Sequence, residues 1–127
     1  MIKFFDLQKQ DRKLQKKILF KFKKIITKTN YILGNEVQVF ENNFSNYVGA
    51  KYAIGCANGT DALTIALKSL NLPKNSEVII PAMTYCSTAF AVINAGLKPV
   101  LADIDKFKPT ISIQDIKNKI TNKTKVI

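Results

Sequence analysis

The 127-residue chain has no tryptophan and no histidine, and only two cysteines, Cys56 and Cys86. Without histidine and without a CxxC spacing, neither a typical zinc site nor a disulfide framework can be assembled, and no metal is expected. Both cysteines read as reduced, small, packable side chains. Long apolar runs are also missing: none approaches the roughly 18 residues of a membrane span. The start, "MIKFFDLQKQ", turns polar too soon for a signal peptide, so the expected setting is cytoplasmic and no membrane partner is expected. Two glycine-rich spacings, GxGxxG and GxxxxGKS/T, are absent, which argues against a dinucleotide or nucleoside-triphosphate site. There is no internal repeat, low-complexity tract or linker.

What is present is ordinary for one globular domain in its apolar share, 46%, but not in its charge, a net +11. Residues 1–30 carry +8 of that, from Lys3, Lys9, Arg12, Lys13, Lys16, Lys17, Lys21, Lys23, Lys24 and Lys28 against Asp6 and Asp11. Within this segment Leu14, Ile18, Phe22, Ile25 and Ile26 recur at helical spacing. The lysines therefore flank an apolar stripe and read as the solvated face of a docked helix. No aromatic or glycine pattern of a nucleic-acid reader accompanies the charge, so no nucleic-acid partner is expected.

Along the chain, the first helix is followed by a break at Gly34 and a second helical pattern through Val37, Phe40, Phe44, Tyr47 and Val48, closed by Gly49. Helical residues 1–50 thus precede a segment, 51–127, in which strand and helix alternate. A strand "KYAIGC" leads to a helix from Thr60 to about Leu70, and "NLPKNS" forms a polar turn. "EVIIP" is a short continuous apolar run, as expected of a strand buried on both faces. The helix "STAFAVINAG" leads to the strand "KPVLADID", then to a helix "SIQDIKNKIT" with Ser112 as N-cap, and to a strand beginning "TKVI". Such alternation predicts a doubly wound α/β layer with a largely parallel sheet, whose ligands sit beyond the carboxyl ends of the strands. The last strand has nothing after it to cover it, which reads as the front of a larger protein.

Two places on that layer could carry chemistry. In "GCANGTDAL", Asn58 and Gly59 permit unusual backbone angles, and Thr60 and Asp61 begin a helix whose first N–H groups have no intrahelical partner. A phosphate would gain those N–H bonds, the Thr60 hydroxyl and the helix dipole together. The alternative is that Thr60 or Asp61 merely caps the helix. In "PAMTYCSTAF", Tyr85 stands at the carboxyl end of the neighbouring strand, where it could stack on a planar ring or simply pack as a half-buried tyrosine. Together the two stretches would suit a flat aromatic cofactor bearing a phosphate. Asp103 and Asp105, in "DID", read as a strand-end turn rather than a metal pair.

The stretches "DLQKQ", "YILGNEVQVFENNF", "GAKYAIGCANGTDALTIAL", "EVIIPAMTYCSTAFAVINAGLKPVLADID" and "ITNKTKVI" resemble, in order and over essentially the whole chain, the leading part of the DegT/DnrJ/StrS sugar aminotransferases. The resemblance implies a three-layer αβα fold, with residues 1–127 as the N-terminal part of the large domain of a fold type I enzyme dependent on pyridoxal 5'-phosphate. It implies that Gly59, Thr60 and Asp61 hold the cofactor phosphate and that Tyr85 stacks on the pyridine ring. It further implies a homodimer that moves an amino group from glutamate to a keto group of a nucleotide-linked sugar. The family's cofactor-bonding lysine and pyridine-pairing aspartate match no residue of this chain, so no catalytic residue is assigned and the chain alone is expected to be inactive. A sugar dehydratase of the same family, or a non-catalytic product or basic binding module, are the alternative readings.

Overall fold

A computed structural model describes Phe4 and residues 7–127, with side chains at Phe4 and from Leu14 onward. The motif "DLQKQ" and the side chains of Lys3, Lys9, Arg12 and Lys13 lie outside the described side chains. The chain divides into two compact units, one up to Gly55 and one from Cys56 to Ile127. Among the described residues no helix is long and apolar enough to cross a membrane.

The first unit holds α1 (Leu7–Lys28) and α2 (Asn35–Val48). Between them Gly34 is the N-cap of α2, and a Cβ there would lie 2.9 Å from the Asn30 carbonyl oxygen, so the turn admits only glycine without moving. Gly49 ends α2 in the left-handed region, as the sequence predicts. Lys21 pairs with Glu36 at 2.6 Å and links the two helices. Of the apolar stripe of α1, Ile25 is partly buried. Leu14, Ile18, Phe22 and Ile26 are each about half exposed, because no other described element of this unit covers the stripe.

The expected strand "KYAIGC" is not formed. A strand exists only through a ladder partner. Here the Gly55 N–H donates instead to the Glu41 carboxylate at 2.6 Å, while Tyr52 and Ile54 remain exposed.

The second unit contains α3 (Gly59–Ser69), β1 (Glu77–Pro81), α4 (Ser87–Asn94), β2 (Lys98–Ala102), α5 (Ile113–Lys119) and β3 (Thr124–Val126). The three strands form a parallel sheet in the order β2-β1-β3, with Glu77 opposite Lys98 and Pro81 opposite Ala102. From β1 the chain crosses to one side through α4, and from β2 it returns across β1 through α5. Right-handed crossovers in opposite directions place α4 and α5 on opposite faces, which gives the αβα layering. Central β1 is accordingly buried on both faces: Val78 and Ile80 pack with Val92 and Leu97, and Ile79 on the other face is 1% exposed. Pro99, which has no N–H to donate, is tolerated on β2 because that strand pairs on one side only among the described residues.

Helix ends follow the local sequence. After α4 the Gly96 N–H donates to the Ile93 carbonyl and the Leu97 N–H to the Val92 carbonyl, a Schellman closure with Gly96 at φ 77°. Leu97 then folds back onto Val92 in the core. Ser112 caps α5 by accepting from the Asp115 N–H, as its position predicts.

Candidate functional site

Because β1 and β2 are parallel, their carboxyl ends share one edge of the sheet, and the loop of residues 82–86 leaves β1 there. That edge is where α/β layers bind ligands. Tyr85 lies in this loop and is 78% exposed. Its carbonyl accepts from the Thr88 N–H at 3.0 Å, and the hydroxyls of Thr84 and Thr88 are 3.0 Å apart. The ring is thus held by a pinned backbone while its faces stay open.

The start of α3 reaches the same place by a route that the sequence did not reveal. "KYAIGC" does not deliver it as a strand. Instead α3 packs against α4, and the Thr60 hydroxyl donates to the Ser87 hydroxyl at 2.9 Å. Ser87 is the first residue of α4, so this bond ties two helix N-termini together at the carboxyl edge of β1. Both helices point the positive ends of their dipoles into this region.

At α3 the cap is neither Thr60 nor Asp61 but Asn58, whose side-chain oxygen accepts from the Asp61 N–H at 2.9 Å. The Asp61 carboxylate in turn accepts from the Asn58 amide at 3.0 Å, a reciprocal arrangement like a capping box. Asn58 is extended, at φ −161° and ψ 174°, and Gly59 has no positive φ, so the backbone is unstrained and the expectation of unusual angles is not met. The Ala62 N–H bonds the Asn58 carbonyl. This leaves the N–H groups of Gly59 and Thr60 as the ones without an intrahelical acceptor. A Cβ built on Gly59 would meet no atom within 4 Å, so the space in front of these donors is open.

The start of α3 therefore suits a phosphate: two N–H groups without an intrahelical acceptor and clear space above a glycine. The exposed Tyr85 supplies a flat surface in the adjoining loop. Thr60 and Tyr85 are brought to one edge, whereas Asp61 acts on the cap itself, its N–H already given to Asn58.

Other sequence candidates resolve differently. Asp105 accepts from the Phe107 and Lys108 N–H groups at 2.8 and 3.2 Å, and Asp103 from the Ile104 N–H at 2.8 Å. These carboxylates shape a turn. Cys56 and Cys86 are both free and exposed, not packed, because each sits in the loop before a helix rather than in a core. Sequence reasoning missed Ser87 and the capping role of Asn58. The order Asn-Gly-Thr-Asp, with an N-cap residue three positions before an acid, was the available signal for the second.

Comparison with known proteins bears on the family and the fold. Residues 12–127 match the model of the DegT/DnrJ/EryC1/StrS aminotransferase family. The UDP-2-acetamido-2-deoxy-3-oxo-D-glucuronate aminotransferase of Pseudomonas aeruginosa is 42% identical over the whole chain, which covers 35% of that protein. The structure of DesV from S. venezuelae in complex with a ketimine intermediate has a TM-score of 0.90 at 29% identity, over 98% of this chain and 34% of that one. NtdA from Bacillus subtilis, solved with bound cofactor PMP, has a TM-score of 0.85 at 30% identity, over 91% of this chain and 27% of that one. The chain spans about a third of the length of the relatives it matches. With that model matched over residues 12–127, the chain belongs to the DegT/DnrJ/EryC1/StrS aminotransferase family.

Proposed function

We propose that this chain is the cofactor-phosphate-binding front of the large domain of a sugar aminotransferase dependent on pyridoxal 5'-phosphate. The observation that carries the reading is the Thr60–Ser87 bond, which sets the open start of α3 beside the loop that holds Tyr85. The Gly59 and Thr60 N–H groups bind the phosphate, aided by the dipole of α3. Asp61 holds Asn58 and so fixes the direction of those donors. Tyr85 lies against the pyridine ring and shields one face from water. When bound, the cofactor supplies an electron sink for moving protons at a carbon that bears nitrogen.

In the complete protein the donor of the amino group is glutamate, the acceptor is a keto group of a nucleotide-linked sugar, and the assembly is a homodimer. Support for the sugar class comes from the 42% identity to an aminotransferase that acts on such a substrate.

The test is a titration of the chain with pyridoxamine 5'-phosphate, followed by the ligand's fluorescence. Tyr85→Ala should weaken binding by about 0.5–1.5 kcal/mol beyond lost burial. Unchanged affinity would remove Tyr85 from the site.

A further inference from the structure

We infer that α1 is a docking helix that lies along an anionic lipid surface, a role separate from the proposed cofactor site. At about 100° per residue, Leu14, Ile25, Ile18, Phe22, Ile26 and Leu19 fall in that order across one arc of roughly 140°, interrupted by Gln15 alone. The arc is open: Ile18, Leu19 and Phe22 are 57%, 62% and 60% exposed. Lys21, Lys28, Lys17 and Lys24 line one border of it, and Lys23 and Lys16 line the other. From Leu14 to Asn35 the chain has no acidic residue to offset them. Among the described residues only Lys21 of these six is in an ion pair, with Glu36.

Charge and apolar area together select the occupant. A nucleic acid would engage the lysines but leave the apolar arc in water. A protein groove would have to place acidic side chains along both rims of an apolar floor. A membrane with anionic lipids offers that combination at every point. Its acyl chains receive the arc, and its headgroups lie on both sides at the level that the lysine ammoniums reach when their stems run beside the arc. A helix of 22 residues is about 33 Å long and fits lengthwise in that interface. No helix among the described residues can cross a membrane. That excludes spanning, not lying on the surface, so the expectation of no membrane partner extends only to spanning.

The experiment is co-sedimentation of the 127-residue chain with two kinds of vesicle, one of phosphatidylcholine alone and one of equal parts phosphatidylcholine and phosphatidylglycerol. The chain should bind the mixed vesicles, release them as salt is raised, and leave the neutral ones unbound. Lys17→Gln with Lys23→Gln, one lysine from each border, should weaken binding about tenfold or more, at roughly fivefold per lysine. Phe22→Gln keeps every charge and should also weaken it about tenfold, through lost apolar burial. Circular dichroism should show both variants as helical as the parent. Phe107→Gln, which changes an apolar side chain 93% exposed in a turn outside α1, should bind as the parent does. Equal binding to both kinds of vesicle, or an equal loss in Phe107→Gln, would show general adhesion of apolar surface and overturn the inference. If duplex DNA displaces the chain from vesicles and Phe22→Gln still binds as the parent does, the lysines serve a polyanion without the arc, and the inference fails. It fails equally if the parent ignores the mixed vesicles. None of these outcomes touches the cofactor reading, which is tested with a different ligand and different residues.

Discussion

At the scale of single residues, the site is made by what a few short side chains do with their hydrogen bonds. Asn58 is the clearest case, since its side-chain oxygen accepts from the Asp61 N–H while its amide donates to the Asp61 carboxylate. Replacing Asn58 with Ala should cost about 1 kcal/mol of stability by loss of the cap. It should also weaken phosphate-ligand binding, because an uncapped first turn frays and its donors lose their direction. Chemical denaturation and a ligand titration of the same variant check both parts. A stability loss with unchanged affinity would make the cap purely structural. Asn58 is legible in the sequence as a cap, but Ser87 is not, because its partner is 27 residues away.

At the scale of elements, α4 shows how local sequence and packing agree. Its apolar residues Ala91 and Val92 are buried against the sheet, and Gly96 lets the chain reverse so that Leu97 returns to the same core. A Cβ at Gly96 would touch nothing within 4 Å, so the position demands glycine for its φ of 77° and not for lack of room. Gly96→Ala should therefore destabilise the chain by about 1–2 kcal/mol. Gly96→Asn should cost less, since asparagine tolerates the left-handed region better. Equal stability of the Ala variant and the parent in urea would contradict this account. The helices, "EVIIP" and the strands at 98–102 and 124–126 all lie where periodicity and capping signals predict. "KYAIGC" does not, because its β-branched and aromatic residues describe a preference that only a neighbouring strand can realise.

At the scale of the whole molecule, Glu77 ties the second unit together at the amino end of the sheet. Its side chain is 9% exposed; it accepts from the Thr121 hydroxyl at 2.6 Å and from the Lys98 ammonium at 3.2 Å, so β1 is joined to β2 and to the turn before β3. The Thr121 hydrogen bond, and then that of Lys98, hold the Glu77 carboxyl below its ordinary value, against the opposing effect of burial. Asp115 is lowered in the same direction, first by the Asp103 N–H and then by Lys119. A carboxyl whose folded value is depressed contributes stability that is fully present above its unfolded value, about 4.3 for Glu. That contribution is lost as pH falls through the depressed folded value. The Glu77 contribution should thus be constant around neutral pH and be lost in the acid limb. Glu77→Gln should flatten that part of the limb, which thermal melts between pH 7 and pH 3 would show. An unchanged acid slope would mean that Glu77 titrates alike in both states.

The sequence by itself determined what depends on neighbours along the chain. It set the amphipathic and buried periods, the caps at Ser112 and Gly49, the turn after α3 and the parallel α/β alternation, because these are fixed by interactions over a few residues. It also singled out Thr60 and Tyr85, whose residue types suit an anion and a flat ring. Only the tertiary structure decided the rest. It showed that α1 leaves its apolar stripe half exposed, that Gly55 bonds to Glu41 instead of a strand, and that α3 is seated by α4. The physical reason is the same in each case. A period records which face of an element is apolar, but which surface meets that face, and which hydroxyl receives a given proton, depends on groups that only folding brings within hydrogen-bonding distance.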